Sequence, residues 1–266
     1  PPPDGEPTVT LRGAINQANA AKERPWIFFH SDLEGEVLEL KSPLPDITRG
    51  FITIFGDIDF DGFPDITIDG SEVPDDPGLL ILSGQNRING LRFRNFTNSA
   101  SIEIRLAALN RIEYCDLGFG SRYGLQLQDA PNNFIGPANV ISLAAQDGIW
   151  LTGALAIENI VEANWIGTDR TGSFDRGNGW NGVHISVSAS CNIVGPGNVI
   201  SGNGHSGVGI SASSDNIITE NSIGLDGLQE NTIGNGWDGV WIGHGSTSAM
   251  AQDWRTPGWV RLTPLL

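Results

Sequence analysis

Gly148-Ile-Trp-Leu151 and Gly182-Val-His-Ile185 are two copies of one phrase, a Gly or Ser followed by alternating apolar residues, and its recurrence decides the fold. The phrase begins at Gly78, Ser101, Gly124, Gly148, Gly182, Gly207 and Gly239, in steps of 23, 23, 24, 34, 25 and 32 residues. A repeat of that length is the mark of a solenoid. One phrase is too short to bury its own apolar face, so each is covered by the next, and the stack generates a continuous core.

A second register runs alongside the first. Asn86, Asn110, Asn133, Asn159, Asn192 and Asn216 each follow a phrase start by eight to eleven residues, and Asn139, Asn164, Asn198 and Asn221 follow a few residues later. Asn tolerates left-handed backbone and its amide bonds turn groups. One Asn per coil at a fixed corner predicts a ladder of amides, each bonding those above and below. These residues are therefore read as structural.

Each coil carries two or three short alternating strands separated by Gly, Asn and Ser turns, and helical periodicity is nearly absent after residue 24. The predicted fold is all-β, a right-handed parallel β-helix with a short N-terminal capping helix. Residues 1–24 form a Pro-rich arm and that helix, 25–245 the β-helix, and 246–266 a non-repeating tail or cap. Apolar spacing at Leu11, Ala14, Ile15, Ala18 and Ala21 defines the helix, with Thr8 or Thr10 as its N-cap. Two coils are longer and match each other: Ile166-Gly-Thr-Asp169 to Asn181 parallels Ile223-Gly-Leu-Asp226 to Asp238. The larger unit is thus a two-coil repeat of 57 to 59 residues.

The phrases Ile166-Gly-Thr-Asp-Arg-Thr-Gly172, Gly177-Asn178 and Gly197-Asn-Val-Ile-Ser-Gly-Asn203 resemble the degenerate repeats of bacterial surface and secreted right-handed parallel β-helix proteins. Thr10-Leu-Arg-Gly-Ala-Ile-Asn-Gln-Ala-Asn19 is similar to the CSLREAI-type N-terminal element of that group, although no Cys precedes it and Gly13 stands where the motif has Glu. The resemblance implies secretion or the cell surface. It spans roughly residues 78 to 245 and is specific for fold rather than activity, because such proteins include adhesins and polysaccharide-active enzymes.

A formal charge of −16 argues against nucleic acid, whose phosphates demand basic patches. No apolar run is long enough to span a membrane. The expected partner is a polysaccharide or other glycan, met by a monomer. Cys115 and Cys191 lie three rungs apart, about 14 Å at roughly 4.8 Å per rung, too far for a disulfide. Both are read as free, buried thiols.

Two constellations are candidate sites. Asp57, Asp59, Asp61 and Asp65, with Gly62 among them, put four carboxylates on one loop, as an oxygen-preferring calcium ion requires; a solvated acidic loop is the competing reading. The second follows from stacking: with the phrase Gly as position zero, positions one and three point inward and positions two and four outward. Position two then reads Gln126, Trp150, His184, Gly209, Trp241 up the outer face. Asp147 and Asp238 precede their strands, and Trp180, His205 and Trp237 stand one residue before the pre-strand position. Exposed Trp residues in a row call for something that covers them.

The expectation is a groove in which Trp150, Trp180, Trp237, Trp241, Gln126 and His205 bind a neutral polysaccharide. Asp147, Asp238 and His184 are the candidate catalytic residues, for hydrolysis by paired carboxyls. His184 and Ser186 alternate on one strand about 6.8 Å apart and make no hydrolase pair. The competing view is a non-catalytic surface or adhesive module, with the Trp residues packed beneath the two insertions.

Overall fold

The computed structural model describes residues 9–243, 245–246, 250–252 and 260–262. Successive short strands sort into three parallel sheets. The first, nine-stranded, runs from Trp26–Phe28 through Thr53–Phe55 and Arg87–Asn89 to Met250–Gln252; the second, eight-stranded, from Val37–Glu39 to Ser222–Ile223; the third, eight-stranded, from Leu79–Ile81 to Val260–Leu262. Each strand pairs in parallel with its counterpart one coil on, as Ile149–Thr152 does with Val183–Ser186. The chain is a right-handed parallel β-helix, the hand that twisted parallel strands favour.

The register matches the repeated phrase residue for residue. Leu127, Leu151, Ile185, Ile210 and Ile242 are successive partners in the third sheet and form one buried stack. The recurrent Gly has a steric cause. A Cβ on Gly148 would lie 2.7 Å from the Gly182 carbonyl oxygen, and one on Gly182 2.7 Å from that of Gly207, so a side chain there would push the coils apart.

Both expected Asn ladders form. Asn86, Asn110, Asn133, Asn159 and Asn192 each donate Nδ2–H to the Oδ1 of the next, ending at Asn216, at 2.9–3.2 Å. Asn139, Asn164 and Asn198 do the same, ending at Asn221, at 2.8–3.0 Å. A third ladder, Asn178 to Asn203 to Asn235, secures the corner after the second sheet. Every rung but the half-buried Asn235 is a buried amide supplied with partners, which keeps tight corners from burying unpaired backbone groups.

The helix Leu11–Ala20 is capped by Thr10, whose hydroxyl accepts from Gly13 N–H at 3.2 Å. Ile15 and Ala18 are buried and join the core at the first coil. Asn19 ties the helix down, accepting from Thr48 and Arg49 N–H and donating to the Asp46 carbonyl.

At the other end, Met250–Gln252 pairs with Ile217–Thr219 and Val260–Leu262 with Val240–Ile242. The segment after Gly245, read from sequence as fitting no coil, therefore adds a strand to two of the sheets; the rest of 246–266 lies largely outside the described residues.

The long coils stack as matched loops. Asp169 accepts from Ser173 and Phe174 N–H, and Asp226 accepts from Glu230 N–H and the Asn231 side chain. Gly227 N–H donates to the Gly172 carbonyl and joins the two insertions directly.

The cysteine expectation needs one correction. Both thiols are free; Cys115 is buried, with burial pushing its thiol up to about 12, whereas Cys191 is exposed. Cys191 occupies a left-handed corner at φ 55°, where the following Asn192 turns inward to join its ladder and Cys191 is left facing solvent.

Candidate functional site

The outer flank of the third sheet carries four vertical columns, each fixed by backbone pairing between coils. Gln146, Trp180, His205 and Trp237 form the outermost, linked by N–H donation from each to the carbonyl below. Asp147, Asn181, Ser206 and Asp238 form the next. On the strands themselves run Gln126, Trp150, His184, Gly209 and Trp241, and beside them Thr152, Ser186, Ser211 and Gly243. The sequence-derived alternation thus holds across this face, and His184 points outward while Ile185 is wholly buried.

The rings stack on one another along the solenoid axis. Trp180, His205 and Trp237 are nearly parallel, with centroids 5.8 and 4.2 Å apart. A second run joins Tyr123, Trp150 and His184 at 5.0 and 6.4 Å. Inner ring faces therefore cover each other, and what remains open is the ring edges and the end faces. Trp180 is 42% exposed and Trp237 68%. Trp241 leans along its own strand, since a Cβ on Gly243 would meet its indole at 2.3 Å. The described contacts keep the two aromatic runs separate, rather than converging in one cluster.

Asp147 is 1% exposed, so it is no rim carboxylate. Its Oδ1 accepts from Asn181 N–H at 3.0 Å and from Asn181 Nδ2–H at 2.8 Å. Its Oδ2 faces His184 Nδ1 at 3.3 Å, and His184 Nε2 faces Ser211 Oγ at 3.3 Å. Burial pushes the neighbouring Tyr123 phenol up; Arg122 opposes the rise and the charge of Asp147 adds to it.

Asp238 is three rungs from Asp147 in the same column, about 14 Å at roughly 4.8 Å per rung. Paired carboxyls that hydrolyse glycosides stand about 5–9.5 Å apart, so these two do not form such a pair. Two other acids of the coils are held elsewhere: Glu103 is buried against Arg105, and Asp169 caps its own loop. Ser186 accepts from Trp150 Nε1–H at 2.9 Å.

In the acidic loop, one carboxylate oxygen from each of Asp57, Asp59 and Asp61 lies within 4.8 Å of the others. Asp65 stands beside this trio and accepts from Ile58 N–H at 2.6 Å. The cluster also caps its own backbone, Asp57 accepting from Asp61 and Gly62 N–H. Burial raises the Asp57 carboxyl above its ordinary value, with Asp61 and Asp65 adding to the rise.

An open cavity of about 460 Å³, absent from the sequence reading, lies on the second-sheet face and is lined in part by Arg92, Arg94, Arg176, Asp116, Phe63 and Phe119. Arg92 is paired with Asp116 and Arg94 with Asp69, while Arg170 clasps Asp116 and the Gly62 and Ala138 carbonyls. Outward Arg92 and Arg94 on one alternating strand were the available signal. Their convergence with Arg176 depends on the insertion folding back.

No protein-family model matches the chain, and no curated protein matches it. Solved structures do. A mutant of the periplasmic alginate epimerase AlgG aligns over 86% of this chain and 46% of its own, at 16% identity and a TM-score of 0.53. The A-module of the Azotobacter vinelandii mannuronan C-5 epimerase AlgE4 aligns over 91% and 83%, at 12% identity and 0.41. A mutant of the PL6 family alginate lyase AlyGC aligns over 92% and 40%, at 13% and 0.47. This chain spans less than half the length of the AlgG chain, and at such identity the likeness to AlgG establishes the parallel β-helix alone.

Proposed function

We propose that this chain is a polysaccharide-active β-helix protein working outside the cytoplasm, which holds a glycan along the outer flank of the third sheet. The observation that carries the reading is the aromatic and polar file Gln126, Trp150, His184 and Trp241, interrupted by Gly209 alone, with the exposed Trp180–His205–Trp237 column beside it. Trp150 to Trp241 spans three rungs, roughly 14 Å, the length of two or three sugar units. Aromatic edges and the exposed Trp237 offer apolar contact, while the half-buried Gln126 and Asp238 offer hydroxyl partners. That AlgG is an alginate epimerase is in keeping with a polysaccharide as ligand. The wide separation of Asp147 from Asp238 turns the reading away from paired-carboxyl hydrolysis and toward His184 as the acid–base group.

The test is binding to a panel of neutral and uronic oligosaccharides. Native chain is expected to bind, Trp150→Ala and Trp237→Ala to bind more weakly, and far-ultraviolet circular dichroism to stay unchanged. Failure of the native chain across the whole panel overturns the reading in favour of a passive surface module. The observation favouring that second reading is the ring-on-ring stacking, which gives the aromatics partners within the protein.

Calcium at Asp57, Asp59 and Asp61 belongs to the same proposal as a structural ion for the N-terminal coils. Three close carboxylates repel one another, and Asp57, raised first by burial and further by the charges of Asp61 and Asp65, is a group whose ionised form a divalent cation would favour.

A further inference from the structure

The geometry points to a nucleophilic serine at this face: Ser211, with His184 as its base and Asp147 as the group that orients the base, cleaving a short-chain O-acyl ester. Only the identity of the alcohol half, a glycan hydroxyl, rests on the function proposed above.

The three residues come from the approaches to three successive third-sheet strands. Asp147 precedes Ile149–Thr152, His184 lies in Val183–Ser186, and Ser211 follows Val208–Ile210. Asn181 fixes Asp147 by bonding Oδ1 twice, which leaves Oδ2 for His184 Nδ1 at 3.3 Å. Acceptance of the Nδ1 proton by a buried carboxylate selects the tautomer with a bare Nε2, and Nε2 lies 3.3 Å from Ser211 Oγ. A nucleophile within reach of a base, and the base within reach of an orienting group, is the arrangement that activates a hydroxyl.

The diagonal from His184 to Ser211 has a bland counterpart one coil below, where Trp150 Nε1 donates to Ser186 Oγ. Trp is a donor only and cannot take a proton. The base and the carboxylate behind it are what set Ser211 apart. Gly209, between His184 and Trp241 in the column, carries no side chain, and a Cβ there would press on Asn181 Oδ1 at 3.0 Å, so the glycine leaves Asn181 free to hold Asp147.

In the first step Ser211 Oγ bonds to the acyl carbonyl carbon as its proton passes to His184 Nε2. The bond from that carbon to the alcohol oxygen then breaks, and the alcohol leaves with the proton. Water next adds to the acyl carbon and gives a proton to Nε2. The Ser211–acyl bond breaks, the proton returns to Oγ, and the carboxylic acid departs. The Ser211 and Gly243 backbone N–H groups both donate within the sheet and do not serve the oxyanion. Loss of one oxyanion donor costs on the order of 10²–10³ in rate, so turnover is slow and covalent labelling is the sharper readout.

The experiment treats the native chain with a fluorophosphonate and maps the adduct by peptide mass spectrometry, with 4-nitrophenyl acetate hydrolysis alongside. The expected result is one adduct on Ser211, lost in Ser211→Ala and slowed roughly 10²-fold or more in His184→Gln. Asp147→Asn keeps an acceptor for Asn181, so labelling slows while the melting temperature holds. Ser186→Ala labels as the native chain does. Absence of an adduct on Ser211 in the folded native chain, or an unchanged rate in His184→Gln, overturns the proposal. Neither readout uses a glycan: a chain that labels but binds no oligosaccharide keeps the esterase and loses the glycan reading, and one that binds without labelling does the reverse.

Discussion

Ile185 and His184 are adjacent and lie on opposite sides of the wall of the solenoid. Ile185 is fully buried between Leu151 and Ile210, so truncation leaves a cavity in a stack with neighbours above and below. Ile185→Ala is expected to cost about 2–5 kcal/mol in chemical denaturation. Gln126→Ala on the outer face is expected to stay within about 0.5 kcal/mol. Equal costs for the two would mean that the register is wrong by one residue, because a slip of one exchanges the faces. This much was legible in the sequence: a period of two names inward and outward positions without any tertiary knowledge. The reach of the outward side chains was not, because each leans diagonally onto another coil. His184 meets Asp147 and Ser211, 37 and 27 residues away, and a reading confined to the strand finds Ser186 instead.

Corners and loops were legible where they repeat and opaque where they occur once. The Asn ladders could be anticipated because each coil restates the same residue at the same offset. Asn159 illustrates the energetics: it donates to Asn192 Oδ1 and accepts from the backbone and side chain of Asn133. Asn159→Ala leaves several buried groups unpaired at about 1–3 kcal/mol each, so a fall in melting temperature larger than that of an exposed Asn→Ala change is expected. The acidic loop has no such repetition, so spacing could group its four Asp residues but not tell that Asp65 also accepts from Ile58 N–H while Asp57, Asp59 and Asp61 draw together.

The sign of the pH effect in that loop follows from Asp57. Its carboxyl is raised in the fold, so its contribution to stability is full below the unfolded value of about 4 and is lost as pH rises through the folded value. A bound cation opposes this loss. Calcium at 100 times its Kd is expected to stabilise by about 2.7 kcal/mol at neutral pH, a chelator to reverse it, and Asp57→Asn to abolish the response. A melting temperature indifferent to both calcium and chelator counts against the ion.

For the whole molecule, the seven-fold phrase dictated a solenoid, and the three parallel sheets follow from stacking elements that are individually too short to persist. What the linear order concealed is the sharing of surface between distant coils. Arg92, Arg94 and Arg176 meet in the second-sheet cavity because an insertion from a later coil folds down over earlier strands. A chain of net charge −16 thus holds guanidinium groups on one face and an aromatic file on another, and the proposed function assigns the glycan to the aromatic file. A crystal structure with a bound oligosaccharide from the panel tests this assignment most directly. The account predicts sugar rings along Trp150, His184 and Trp241, with a hydroxyl or its acyl group beside Ser211; sugar seated instead in the cavity of Arg92, Arg94 and Arg176, with the third-sheet flank bare, would contradict it.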